Sequence, residues 1–280
     1  MLKNKKIGIA VACALALGAW SGSTLATPVS VGGIHWDTSS PFDLRFDTLN
    51  LNESQVAVPG DVLTGYGQVG SINQSGNFCV VAGCNLTFQF NYTVTSIGPN
   101  GSGALQAIFD LGTINFFVSQ PGTYDATNPA SAGYGTPWLT LTGHTGAQTG
   151  FTGTGELFSN ISGPDASQPA ANSTGNGYLD ATGGAAANYF HTATKSDGNG
   201  GMTDFTFSSS FQFVIPDGCG GVVSPDPTSY CHYPIGGTAD LRGDSRVAVP
   251  EPGAIGLLGL GLGFLGLFTW LRRKETDERA

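Results

Sequence analysis

Strict alternation of apolar and polar residues defines two long stretches of the chain. Between residues 86 and 95 every even position is apolar and every odd position is polar. Residues 204–215 show a similar pattern, in which one face carries Phe205, Phe207, Phe211, Phe213 and Ile215. A period of two is typical of antiparallel strands with one buried and one solvated face. Both stretches are therefore predicted to be such strands.

Shorter runs with the same character lie between clusters of turn-forming residues. They predict further strands at residues 62–72, 105–109, 113–118, 138–142 and 155–158. Between the two ends of the chain the only short helical candidate is 183–190. The Gly-, Ser- and Asn-rich segment 160–178 is predicted to be a surface loop, with an interdomain linker as the alternative. Many strands without a strand–helix–strand rhythm favour an all-β fold, an antiparallel β-sandwich with a jelly roll as one form of it. A β-solenoid is the alternative, although the sequence contains no fixed repeat that would support it.

The N-terminus has the order of a secretory signal peptide. Lys3, Lys5 and Lys6 precede an apolar run over residues 7–17, and small residues follow up to Ala26. This pattern predicts a signal peptide at 1–26, processed by signal peptidase and the general secretion machinery. A short N-terminal anchor is the alternative. Residues 27–248 would then form the exported domain.

The C-terminus has a longer apolar run with a basic end. Residues 254–271 contain no charged side chain, which is enough for one transmembrane helix. Arg272, Arg273 and Lys274 follow directly. By the positive-inside rule they place the C-terminus in the cytoplasm and residues 27–248 outside. An ordinary permanent anchor would have the same pattern.

The last 32 residues also contain a short motif before this apolar run. Pro250, Glu251 and Pro252, then the glycine-rich apolar run, then the basic cluster resemble the PEP-CTERM sorting signal of Gram-negative bacteria. The resemblance implies recognition of these three residues by an exosortase, transient anchoring in the inner membrane and delivery to the cell surface or extracellular matrix. It also implies a structural or adhesive role in exopolysaccharide-linked biofilm or floc formation, with extracellular polysaccharide as partner.

The charge of the predicted exported domain narrows the possible partners. Residues 27–248 carry four basic and sixteen acidic side chains, a formal charge of −12. Such a surface argues against nucleic acid as a partner, because phosphate contacts need basic side chains. Three aspartates close in sequence, Asp37, Asp43 and Asp47, are calcium candidates, although a solvated acidic loop explains them without a metal. No other cofactor is expected.

Four cysteines of the exported domain form two pairs that are close in sequence. In an oxidising compartment the spacing favours disulfides Cys79–Cys84 and Cys219–Cys231. A metal site formed by the four cysteines with His232 is the alternative.

The sequence contains none of the common hydrolase motifs, so we do not expect an enzyme. A polysaccharide hydrolase or lyase that uses Glu53 or Glu156 is one alternative, and a carbohydrate-binding module with a calcium site is another. Aromatic side chains that could contact a glycan are Trp36, Trp138, Tyr124 and Tyr134. Packing in a hydrophobic core is the competing explanation for all four.

Overall fold

The computed structural model describes residues 28–38, 44–100, 103–145, 156–163 and 165–246. The signal peptide, the Pro-Glu-Pro motif, the transmembrane segment and the basic cluster, all predicted from sequence, lie outside these residues. The strands are β1 (Val29–Val31), β2 (Ile34–Trp36), β3 (Leu44–Glu53), β4 (Val62–Ile72), β5 (Asn85–Pro99), β6 (Leu105–Ser119), β7 (Thr136–Gly143), β8 (Leu157–Ile161), β9 (Ser173–Gly183), β10 (Lys195–Ser196), β11 (Met202–Thr203), β12 (Phe205–Phe213) and β13 (Ile235–Gly243). The described residues also contain one helical turn, α1 (Ala187–Phe190), and two 3-10 turns, Pro129–Gly133 and Tyr230–His232.

The main sheet closes on itself into an eight-strand barrel. Its strand order is β12-β13-β3-β4-β5-β6-β7-β9, and β9 also pairs with β12, so the sheet has no free end at this seam. All pairings are antiparallel. The all-β antiparallel prediction is confirmed, whereas two packed sheets are not what the pairing shows. Alternation of side chains reveals which face of a strand is buried but not which strands pair, which is why closure could not be derived from it.

Two short strands share one position in this ring. The first half of β6 pairs with β8, and its second half pairs with β7. Strand β9, on the other side of these two strands, also pairs with both. Its residues 174–177 lie opposite β8, and its residues 179–183 lie opposite β7. Strands β7 and β8 therefore lie end to end between β6 and β9.

The barrel interior is packed with large apolar side chains. Buried examples are Phe46, Leu51, Leu63, Val69, Phe88, Tyr92, Phe109 and Phe116. The inward positions Gly65 and Gly67 on β4 make room for two of them, because a Cβ at either glycine would collide with the ring of Phe90 or Phe88 respectively. Phe190 of α1 extends the same core, with ring centroids 5.1 Å from Trp36 and 5.6 Å from Trp138 and Phe205.

The segment predicted as a loop over 160–178 is partly strand. β8 continues to Ile161 and β9 begins at Ser173, so the connection is shorter than predicted. The glycines and threonines of β9 alternate in burial, and small inward residues there lie beneath the phenylalanine side chains of β12. A Cβ atom added to Gly175, for example, would lie 3.7 Å from the ring of Phe207. Low hydrophobicity concealed this strand because its neighbour supplies the apolar volume.

Candidate functional site

A groove on the outer face of β4, β5 and β6 combines tyrosine and amide side chains. We call it the tyrosine–amide groove. It has a volume of about 250 Å³ and is lined by Thr64, Gly65, Tyr66, Gln89, Phe90, Asn91, Asn115, Pro129 and Tyr233. The volume lies below the range of about 300–1,000 Å³ that is usual for drug-sized ligands. The groove therefore suits one small unit of a longer molecule.

Two tyrosines form one wall of the groove. The rings of Tyr66 and Tyr233 meet edge to face with centroids 5.0 Å apart. The Tyr66 hydroxyl donates a hydrogen bond to the carbonyl oxygen of Ala126 at 2.7 Å, and the Tyr233 hydroxyl donates to that of Pro227 at 3.0 Å. Both rings are therefore fixed before any ligand arrives. Because the rings are only 3% and 8% exposed, they keep the shape of the groove fixed, and a preformed groove loses little conformational entropy on binding.

The polar floor follows from the strand register. Tyr66 on β4 is opposite Gln89 on β5, Gln89 is opposite Asn115 on β6, and Asn115 is opposite Thr140 on β7. Outward side chains at paired positions lie side by side across a sheet. The result is a continuous row of amide and hydroxyl groups across four strands.

Some members of this floor retain hydrogen-bonding capacity. The Gln89 amide nitrogen donates to the carbonyl oxygen of Pro129 at 3.1 Å, and Asn115 accepts a hydrogen bond from the Thr140 hydroxyl at 2.9 Å. Asn91 is exposed, and no residue within the described ranges forms a hydrogen bond with its side chain. An amide both donates and accepts, which matches a hydroxyl group on a ligand.

The groove carries no formal charge near neutral pH. Its titratable lining groups are Tyr66 and Tyr233. Burial raises the pKa of Tyr66, and Tyr124, Tyr233 and Asp125 raise it further. Burial also raises the pKa of Tyr233 above its ordinary value. Both hydroxyls are therefore neutral, and the groove favours an uncharged polar ligand.

The sequence pattern does not single out the residues of the tyrosine–amide groove. Gln89 and Asn91 occupy polar positions of the best predicted strand, and Tyr66 lies in another predicted strand. Tyr233, however, comes from a loop far along the chain. Strand register and the return of that loop bring them together, and neither can be derived from alternation.

The predicted glycan-contacting aromatics have different outcomes. Trp36 and Trp138 are 2% and 1% exposed and pack edge to face with centroids 6.1 Å apart. The prediction is wrong for both tryptophans, because they belong to the core. The Tyr124 hydroxyl shares hydrogen bonds with Asn50, and its ring packs against Tyr66 and Tyr233 beside the groove. Tyr134 is 51% exposed, and its role in binding stays a prediction.

The calcium candidates do not assemble into a site among the described residues. The Asp47 carboxylate forms an ion pair with Arg45 at 2.6 Å and accepts a hydrogen bond from Ser71 at 2.9 Å. Asp37 is described and has interaction partners of its own, whereas Asp43 lies outside the described residues. Within these ranges no group of three or more His, Cys, Asp or Glu side chains could hold a metal ion.

Both predicted disulfides are present. Cys79–Cys84 and Cys219–Cys231 have Cα–Cα distances of 5.7 and 5.6 Å. The alternative of a metal site formed by these cysteines is therefore wrong. Each bond closes a loop beside the barrel, the first between β4 and β5 and the second between β12 and β13.

A histidine–aspartate contact has the geometry of an oriented base. His144 Nδ1 lies 2.6 Å from an Asp180 carboxylate oxygen, and its Nε2 lies 3.6 Å from Asp197. A base in a hydrolase would direct the second nitrogen towards a nucleophile or substrate. Here it points to another carboxylate, so the contact connects the β10–β11 hairpin to β9. The expectation that the protein is not an enzyme stays a prediction.

Comparison with known proteins identifies the C-terminus as that of an exported, exosortase-targeted protein. The model of the PEP-CTERM protein-sorting motif matches residues 248–274. The match makes an exosortase the processing partner and implies a C-terminal membrane anchor before processing. No curated protein and no solved structure matches the chain.

The described residues contain no helix long and apolar enough to cross a membrane. The transmembrane segment predicted at 254–271 lies outside them.

Proposed function

We propose that the barrel binds extracellular polysaccharide through the tyrosine–amide groove, and that the protein acts as a structural or adhesive component of the surface or matrix of a Gram-negative bacterium. In this proposal the signal peptide at 1–26 starts export, and the exosortase then removes the anchor. The observation that carries the proposal is the uncharged row of amide and hydroxyl groups beside two fixed tyrosine rings. Sugar hydroxyls need donors and acceptors together. The two tyrosine rings are only 3% and 8% exposed, so they form the rigid back of the polar row and are not a stacking surface.

The register of the groove also supports a polymeric ligand. The row from Tyr66 through Gln89 and Asn115 to Thr140 extends across four strands that lie about 4.8 Å apart. A chain of sugar units placed across the strands would meet amide or hydroxyl groups repeatedly. Each contact is weak, and several in series give useful affinity without a deep pocket.

Binding to a glycan array, followed by titration with the best polysaccharide, tests the groove. Asn91→Ala should weaken binding about tenfold, because it removes an exposed amide from the floor without breaking a hydrogen bond within the described part of the protein. Asn77→Ala is the matched control, since Asn77 is exposed but lies outside the groove. Equal loss in both variants, or none in either, would contradict the assignment. Repetition with a chelator tests the calcium-dependent alternative.

Mass spectrometry of the mature protein tests the sorting step. A C-terminus near Pro250 is expected in the surface and medium fractions, and Glu251→Ala should leave chains that end at Ala280 in the membrane fraction. Glu275→Ala, beyond the basic cluster, should be processed normally. Intact chains at the surface of the unmodified strain would contradict exosortase processing.

A further inference from the structure

The barrel encloses a mainly apolar cavity whose lining includes two acidic side chains, Glu53 and Asp240. The cavity has a volume of about 70 Å³, and its lining includes Phe88, Tyr92, Phe109, Leu157 and Glu53. Glu53 is the last residue of β3 and is 7% exposed. It is opposite Gly65 on β4 and Ile235 on β13, so its side chain is directed to the interior like those of Leu51 and Leu63.

The Glu53 carboxyl lacks a partner within the described part of the chain. No hydrogen bond and no ion pair joins its side chain to any described residue. Buried carboxyl groups in folded proteins almost always have such a partner, because leaving one unsatisfied costs free energy. Burial accordingly raises the pKa of Glu53 to about 8.

The cavity adjoins an outer groove at a break in the barrel wall. Pairing between β13 and β3 is interrupted between Gly237 and Asp240, and a groove of about 400 Å³ lies over the break. Thr48, Ser209, Ala239 and Asp240 line both spaces. The shared lining places the cavity and the groove on opposite sides of the same part of the barrel wall, which is the shortest route from solvent that the described residues indicate. A hydrogen bond from the Ala239 amide to the Thr48 hydroxyl, at 2.8 Å, bridges the break.

We propose that this cavity binds a small primary alkylammonium ion, whose charged group pairs with the Glu53 carboxylate and whose alkyl chain lies among the aromatic side chains. An ammonium group supplies three donors and the missing positive charge. The rings of the lining add cation–π attraction. A cavity of about 150 Å³ binds benzene, so about half that volume fits three or four heavy atoms. The charges that line the entrance groove are paired, since Arg45 forms ion pairs with Asp47 and Asp240.

Binding exchanges one proton. At neutral pH Glu53 is largely protonated, so an incoming ammonium ion forms the pair as the carboxyl releases its proton to solvent. Affinity should therefore rise up to tenfold per pH unit below about pH 8 and level off above it. The other titratable side chains that line the cavity are Tyr92 and Asp240, and burial raises the pKa of Tyr92 so that it stays neutral in this range.

Titration calorimetry with n-propylammonium, and with 1-propanol as the neutral molecule of the same size, tests the proposal. The protein is used as exported, with both disulfides formed. We expect the ammonium ion to bind at least tenfold more tightly than the alcohol at pH 8. Glu53→Gln should abolish that preference, whereas Asp217→Asn, which removes an exposed surface charge, should keep it. An equal preference in both variants would show that the ammonium ion binds at the acidic surface and would overturn the proposal.

Carbon-13 NMR of labelled glutamate provides a second readout that does not depend on any variant. The chain contains five glutamates, and only Glu53 and Glu156 lie in the described residues. Saturation with n-propylammonium at pH 7 should move the Glu53 carboxyl signal to the ionised position. An unchanged Glu53 signal at about 100 mM ligand would overturn the proposal. Loss of polysaccharide binding would not affect either readout, so the two proposals fail separately.

Discussion

Burial of Glu53 contributes a pH dependence to the stability of the barrel. Its carboxyl has a pKa of about 8 in the folded protein and an ordinary value of 4.5 when exposed. The folded state therefore holds a proton that the unfolded state releases, and stability falls as the pH rises from about 4.5 to 8. The largest loss is up to about 5 kcal/mol, since each pKa unit corresponds to about 1.4 kcal/mol.

Glu53→Gln should remove most of this dependence. We expect the variant to resemble the unmodified protein near pH 4.5 and to be more stable by a few kcal/mol at pH 8, because glutamine carries no ionisable group. Urea unfolding at both pH values measures the difference. A variant that is less stable at pH 8 would show that the carboxylate has a stabilising partner.

Gly65 illustrates how the interior limits side-chain volume. A Cβ at this position would lie 2.6 Å from the backbone oxygen of Asn52 and would also collide with the ring of Phe90. Gly65→Ala should therefore cost about 3 kcal/mol, since backbone atoms cannot move aside. Gly98→Ala, on β5 with no atom within 4 Å of the new methyl group, should be neutral or slightly stabilising. Thermal unfolding compares the two, and equal effects would contradict the packing explanation.

The local alternation of apolar and polar residues predicts where strands lie, but it does not predict which strands pair with each other. The alternation at 86–95 lies within β5, and that at 204–215 covers β12. The first half of strand β9 is not apparent from the sequence, because its inward positions Ser173, Gly175 and Gly177 carry small side chains beneath β12. The predicted helix at 183–190 contracts to the single turn of α1. Residues that pack against a distant partner do not need an apolar pattern of their own.

The disulfide loops differ in the length of chain they close. Cys79 and Cys84 are separated by five positions in sequence, and Cys219 and Cys231 by twelve. In the chain-entropy description these bonds contribute roughly 2 and 3 kcal/mol respectively. Replacement of each pair by serine should therefore lower the unfolding free energy more for the second pair than for the first. Guanidinium unfolding without reductant measures both, and the opposite order would contradict the loop-length argument.

Polysaccharide binding to the barrel should be insensitive to salt. The tyrosine–amide groove has no charged lining residue, although the exported domain as a whole is acidic. Screening weakens interactions between exposed charges and leaves neutral hydrogen bonds nearly unchanged. Affinity for a neutral polysaccharide should change less than twofold between about 50 and 500 mM NaCl. A steep decline would place binding on charged residues outside the groove.

The sequence predicts exosortase targeting but does not predict the tyrosine–amide groove. Export and exosortase targeting depend on a linear motif that an enzyme reads as sequence, so Pro250, Glu251 and Pro252 could be recognised directly and residues 248–274 match the sorting model. The groove depends on register between β4, β5 and β6 and on the position of Tyr233. Trp36 and Trp138 are buried, although their residue type alone is equally compatible with a surface that binds a ligand. Residue type does not reveal whether an aromatic side chain lies in the core or on the surface.

The order in which the ring closes has a consequence for secretion. Strand β13 pairs with both β12 and β3, which joins the last strand of the barrel to one of the first. It ends at Gly243, five positions before the sorting motif begins at residue 248. A chain that crosses a membrane from its N-terminus delivers β13 after all the other strands. In a chain exported in that direction the barrel cannot close until nearly all of the polypeptide has crossed the membrane. The barrel would therefore close at about the time when the sorting motif reaches the membrane. A chain truncated before β13 would have neither a closed barrel nor the sorting motif.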